Sequence, residues 1–254
     1  MSSQPLRLVR ALGDVIYGGY TVFAFVTLAL LTLLFLLVPG VGIGRRRTIA
    51  HGMARLFFMV AGLRIVFLNR EALPETACVV VANHASYLDG VVLKAALPAR
   101  FSFVIKKEVS KVPLAGLLLK RIGAEFVDRF NRHAGAMDAR RLMKAATSGR
   151  ALAFFPEGTF LEQPGLGKFH TGAFAIAARA GLPVVPLTIR GTRHILPSGR
   201  FLPRPGAIEI RVLPTVPAAP SADPESISQL RDSARTRILA ALGEPDLASG
   251  AVTE

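Results

Sequence analysis

Residues 15–44 contain no charged side chain, and residues 22–38 (VFAFVTLALLTLLFLLV) are almost wholly aliphatic. As a helix, residues 15–38 reach about 36 Å at about 1.5 Å per residue, and a bilayer's hydrocarbon core is about 30 Å thick. The run stops at Pro39-Gly40, Arg45, Arg46 and Arg47 follow it, and Arg7 and Arg10 precede it. A signal peptide has a shorter apolar region and a small-residue cleavage site, and neither is evident. A core helix of a soluble protein carries polar residues on one face, and this segment does not. The sequence therefore predicts membrane attachment, by spanning or by lying in one leaflet. A second apolar run, residues 56–67 (LFFMVAGLRIVF), is too short to cross and is expected to pair with the first as a re-entrant or interfacial helix. The Arg excess after the first segment, with Arg55 and Arg64 joining Arg45–Arg47, favours a cytoplasmic remainder.

The chain has 254 residues and a net charge of +14. Residues 218–254 carry three Arg against six acids, so the positive excess lies wholly in residues 1–217. Such a field concentrates anions: a nucleic acid, an acidic membrane or a phosphorylated substrate. Zero Trp and three Tyr leave few side chains to stack on bases, which argues against nucleic acid. The single cysteine, Cys78, excludes an intramolecular disulfide framework. His51, His133, His170 and His194 are scattered, so no metal site is expected.

After Arg70 the pattern becomes strand, turn, helix, repeated. Strands are predicted at residues 77–82 (ACVVVA), 101–105, 124–127, 151–155, 184–189 and 207–212. Helices are predicted at 90–96, 114–121, 134–147 and 174–180, with a longer one at 225–242 and a loose tail at 243–254. This alternation argues for an α/β fold, a mostly parallel mixed sheet flanked by helices, preceded by N-terminal membrane-associated helices. The expected division is a membrane-associated segment at 1–70, an α/β domain at 71–217, and a C-terminal helix with its tail at 218–254.

Three strand ends carry candidate chemistry. At 83–89 (NHASYLD), His84 and Asp89 are five apart. On one regular helix they lie about 140° apart, so they meet only if the chain turns between them. A strand running into a helix start supplies such a turn, and Asp89 in the first turn suits the dipole. Its carboxylate can then take the Nδ1 proton of His84 and leave Nε2 as a base; a capped helix beside a surface histidine is the alternative. At 154–159 (FFPEGT), Pro156 and Gly158 can aim backbone amides at an anion. Glu157 there suits a bracing group better than a second catalyst, and a plain turn is the alternative. At 123–129 (GAEFVDR), Arg129 is a natural phosphate fork. Lys106 and Lys107 follow another strand. Neither a nucleophile elbow nor a P-loop is present.

Together these residues resemble the glycerolipid acyltransferase family, the 1-acylglycerol-3-phosphate (lysophosphatidic acid) acyltransferases. NHASYLD resembles the first box, GAEFVDR the second, FPEGT the third, and LPVVPLTI at 182–189 the fourth. IKKEVSKVPLAG at 105–116 resembles the stretch between the first two. The resemblance covers roughly residues 79–193 in order and spacing. It implies that His84 deprotonates a glycerol hydroxyl, oriented by Asp89, and that this hydroxyl attacks an acyl thioester directly. It implies that Arg129 and Lys106 hold the acceptor phosphate, with Glu157, Gly158 and Thr159 at the same pocket. Asn83, Gly123, Phe126, Pro156 and Pro186 would support the site. The donor would be acyl-CoA or acyl-carrier protein, with no other cofactor and no metal, and the acceptor a lysophospholipid in a membrane. The third box departs from the usual Arg-Ser continuation, since Phe160 and Leu161 follow Thr159. The phosphate site is thus one cation short, with Lys168 or Arg193 as candidate substitutes. Another lysolipid acceptor, or a non-catalytic lipid-binding protein of the same fold, are the alternatives.

Overall fold

The computed structural model describes residues 4–128, 132–160 and 162–248. Helix α1 (Gln4–Leu37) contains the apolar window Ala11–Leu37, a candidate membrane span by length and composition. Helix α2 (Ile43–Val60) returns alongside it. The phenol groups of Tyr17 and Tyr20 donate to the carbonyls of Ala61 (2.9 Å) and Val60 (3.1 Å), so α1 satisfies orphan acceptors at the end of α2.

The apolar run at 56–67 is not one interfacial helix. Its first half completes α2, Gly62 (φ +67) reverses the chain, and its second half enters β1 (Arg64–Leu68). Strand β1 pairs in parallel with β7 (Ala207–Val212), Ile65 opposite Ile208. The sheet therefore begins before the boundary expected at residue 70.

The sheet is completed by β2 (Val79–Ala82), β3 (Ser102–Lys106), β4 (Glu125–Val127), β5 (Leu152–Phe154) and β6 (Val184–Arg190). Their order is β1-β7-β6-β2-β5-β3-β4, with β6–β7 antiparallel and the other pairs parallel. The mostly parallel mixed sheet read from the alternation is present. Strand β2, all apolar and all buried, sits at its centre. Its alternate residues divide between two cores, as the two-residue period of a strand requires. Val80 and Ala82 face α2 and α3 (Asp89–Ala96); Val79 and Val81 face α5 (Arg132–Thr147), α6 (Gly172–Arg179) and α8 (Pro224–Leu242). Asp223 caps α8 by accepting from the Ser226 amide at 2.9 Å, with Pro224 at the helix start.

Arg47 ties the membrane helices to the sheet. It donates to the carbonyls of Ile122 (3.0 Å) and Gly123 (3.2 Å) and to the Ser102 hydroxyl (2.5 Å). One of the three arginines after the apolar segment thus faces protein. Gly123 (φ +68) links α4 (Ala115–Arg121) to β4, and a Cβ there would press on Ile43 and Arg47. The tail expected to be loose instead folds back over residues 243–248, while 249–254 lie outside the described residues.

Candidate active site

Strands β2 and β5 run side by side in parallel, Val81 opposite Phe154. Their carboxyl ends therefore release 83–89 and 155–159 next to each other, at the end of the sheet where such folds bind ligands. Asn83 continues the edge of β2 with its side chain. It donates to the Ile189 carbonyl at 2.9 Å and accepts from the Ile189 amide at 2.7 Å. That frees the backbone to turn at His84.

The turn brings His84 and Asp89 together. His84 Nδ1 lies 2.8 Å from Asp89 Oδ2. The same oxygen accepts from the amides of Ala85 (2.6 Å) and Ser86 (2.8 Å). An oxygen already accepting two amide hydrogens is an acceptor to the ring as well, so Nδ1 carries the hydrogen and Nε2 holds the lone pair. Asp89 is wholly buried, and its Oδ1 has no partner among the described residues. A carboxylate so placed stabilises an imidazolium as it forms.

Aromatic rings enclose the imidazole. It stacks on Phe155, with centroids 4.3 Å apart and planes 18° apart, and meets the edge of Phe160 at 4.7 Å. Tyr87, 67% exposed, packs edge-on against Phe160 at 4.7 Å. The His84 side chain retains 18% exposure, and no described residue bonds Nε2.

Glu157 braces the turn. Its Oε1 accepts from the His84 amide at 2.7 Å and its Oε2 from the Gly167 amide at 2.8 Å. Burial pushes this carboxyl above its ordinary value, and the two amides oppose that shift.

A family model described as Acyltransferase matches residues 64–190. This chain belongs to the acyltransferase family. The 1-acyl-sn-glycerol-3-phosphate acyltransferase of Brassica napus chloroplasts is 34% identical over 159 residues, covering 61% of this chain and 46% of the relative. The enzyme of that name from Pseudomonas aeruginosa is 28% identical over 187 residues, 73% of this chain and 72% of its own. The chain spans about half the length of the plant relatives it matches. Its fold is similar to the crystal structure of the 1-acyl-sn-glycerophosphate acyltransferase of Thermotoga maritima, with a TM-score of 0.75 at 22% identity over 92% of this chain and 98% of that one.

The residues expected at a phosphate pocket are not all free for it. Both Glu157 oxygens are spent on backbone amides, and a carboxylate would in any case repel a phosphate, so Glu157 is no phosphate ligand. The Gly158 amide turns back to the Phe155 carbonyl at 3.1 Å, while Thr159 is exposed at the turn. Lys106 is exposed at the end of β3, opposite Val127, and Phe126 lies opposite Ile105. Lys107 is 3.1 Å from the Asp128 carboxylate. Arg129 lies outside the described residues. Arg193 is engaged by Glu244 at 3.1 Å and the Gln163 carbonyl at 2.6 Å, which removes it as the substitute cation. Pro156 is buried in the turn, and Pro186 lies within the sheet opposite Val81. Sequence reasoning did not single out Phe155 and Phe160 as partners of His84, or Tyr87 as a partner of Phe160, although Phe155 and Tyr87 lie inside the recognised boxes and Phe160 directly follows one.

Proposed function

We propose that this protein transfers a fatty acyl group from an acyl thioester to the free hydroxyl of a lysophospholipid, with 1-acylglycerol-3-phosphate as the acceptor and phosphatidic acid as product. The observation that carries this reading is the 2.8 Å contact of His84 Nδ1 with the buried Asp89, which leaves Nε2 open beyond the sheet's carboxyl end. Nε2 takes the hydroxyl proton as the oxygen attacks the thioester carbonyl carbon. The tetrahedral intermediate collapses with cleavage of the C–S bond, and the imidazolium returns the proton to the departing sulfur. The products are an ester and a free thiol, and no acyl-enzyme forms. Proton transfer of this kind contributes about 10²–10⁴ in rate. Acyl-CoA and acyl-carrier protein are the two donors with the required thioester. Lys106 and Arg129 are the cations assigned to the acceptor phosphate.

The catalytic unit works at a membrane, on its cytoplasmic side, with α1 as the attachment. Gly18 lies under Leu202 and Leu36 packs with Ile122, so α1 meets the α/β unit at two points about 27 Å apart along its axis. A helix held along one body in this way supports attachment within one leaflet, at the depth where lysolipid resides. A second reading, another lysolipid headgroup, draws on Phe160 packing against His84 where the family's third box continues with arginine.

Membranes bearing the protein, supplied with labelled acyl-CoA or acyl-carrier protein and a panel of lysolipids, test both readings. Product is expected with lysophosphatidic acid and absent with His84→Ala. Turnover by His84→Ala equal to wild type would end the proposed mechanism, and a preference for a neutral headgroup would move the acceptor to the second reading.

A further inference from the structure

The segment after α8 is bonded to the active site through an unbroken series of contacts. The chain turns at Gly243 (φ +66), and residues 244–247 run beside 165–167. Glu244 accepts from the Gly165 amide at 2.7 Å and pairs with Arg193 at 3.1 Å. The Leu166 amide donates to the Pro245 carbonyl at 2.9 Å, and the Leu247 amide to the Leu166 carbonyl at 3.0 Å. The Asp246 carboxylate is paired with Arg235, whose guanidinium also donates to the carbonyls of Leu166 and Gly167, each at 3.0 Å. Leu247 packs over Gly165 (φ +142) in the space a Cβ would take. From Gly167 the series continues inward: its amide holds one oxygen of Glu157, whose other oxygen holds the His84 amide.

We propose that Glu244 and Asp246 are positioning residues for acyl transfer, fixing the 165–167 loop so that Glu157 sets the backbone of His84. This rests on the reading of His84 as the base. A partly buried carboxylate oxygen that loses its donor is favoured to regain one from water. Releasing the loop withdraws the Gly167 donor, and Glu157 then turns toward water and lets the His84 turn relax. The imidazole moves relative to the bound hydroxyl, although no residue of the 244–247 segment touches His84.

The test uses the full chain in membranes, with Asp246→Ala and Glu244→Ala made singly and in a Glu157→Gln background. Since a displacement of about 1 Å costs up to about 10²-fold in rate, kcat is expected to fall about tenfold, with KM for donor and acceptor within about twofold. In the Glu157→Gln background the same changes should lower kcat little further, because the link is already cut. Asp232→Ala, which removes an exposed acid from the same helix as Arg235, controls for charge. Should Asp246→Ala fail to fold, Glu244→Ala gives the same readout, since Glu244 holds the Gly165 amide of the same loop. Wild-type kcat in both single variants, beside an inactive His84→Ala, would overturn this inference and leave the proposed reaction intact. So would a lowered melting temperature with unchanged kcat, or an undiminished effect in the Glu157→Gln background. An active His84→Ala would instead remove the reading beneath it.

Discussion

Replacing Asp89 separates its catalytic role from its structural one. In Asp89→Asn the side-chain oxygen can still accept from His84 Nδ1 and from the amides of Ala85 and Ser86, the three donors that now converge on Oδ2. The new amide nitrogen occupies the place of Oδ1, which is already buried without a partner. What disappears is the negative charge facing the imidazolium during turnover. Two unit charges with centres about 4 Å apart interact by about 4 kcal/mol at an effective dielectric of about 20. A barrier raised by that amount slows the reaction about 10³-fold. Asp89→Ala loses the same charge and also strands two buried amides and the ring nitrogen, at about 1–3 kcal/mol for each buried donor. Initial rates with labelled acyl-CoA and lysophosphatidic acid, read beside melting curves from circular dichroism, distinguish the two. Both variants should be nearly inactive, and the alanine variant should also melt several degrees lower. An Asp89→Asn enzyme within tenfold of wild type would refute charge stabilisation of His84. An Asp89→Ala protein with an unchanged melting temperature would refute the account of the turn.

Lys94 is buried over the Phe103 ring at 5.7 Å, and burial together with the Arg47 charge pushes its ammonium down to about 8 from 10.5. The unfolded chain binds the extra proton between those values, so stability rises with pH across that window and the charged form costs the fold below it. Lys94→Met should stabilise the protein at pH 7 by up to about 3 kcal/mol, with the gain fading toward pH 10.5 in pH-dependent denaturant melts; an equal gain at both ends would contradict this. Asn83→Asp sets a carboxylate oxygen against the Ile189 carbonyl and should cost at least about 2 kcal/mol of stability, measured by the same melts. Glu157→Gln can keep an acceptor for the His84 amide or the Gly167 amide but not both, so kcat should fall about tenfold or more while lysolipid KM changes little in steady-state assays.

Much of the architecture is local enough to read from residues in a row. The β-branched run at 79–81 makes a buried strand wherever it is placed, and the uncharged window at 15–44 demands an apolar surround. The His84–Asp89 contact needs only a strand that turns into a helix, so the spacing and the preference of Asp for a first helical turn allowed it, with a capped helix beside a surface histidine as the alternative until the fold closed the turn. Tertiary structure decided the rest, because the partners lie far apart in sequence. Residues 64–68 look like more of an apolar helix until β7, some 140 residues on, offers a parallel edge. Residues 244–247 read as a polar tail because their composition is that of a loop, and Arg235 and Gly165 meet them only once α8 has docked on the sheet. Glu157 suits a brace already in its motif, but which groups it braces is decided by β2 and β5 lying side by side, which brings the His84 amide within reach, and by the 165–167 loop, which brings the Gly167 amide. Period, turn chemistry and charge are properties of neighbouring residues, whereas hydrogen-bond partners are chosen by topology, and the site is made of such choices.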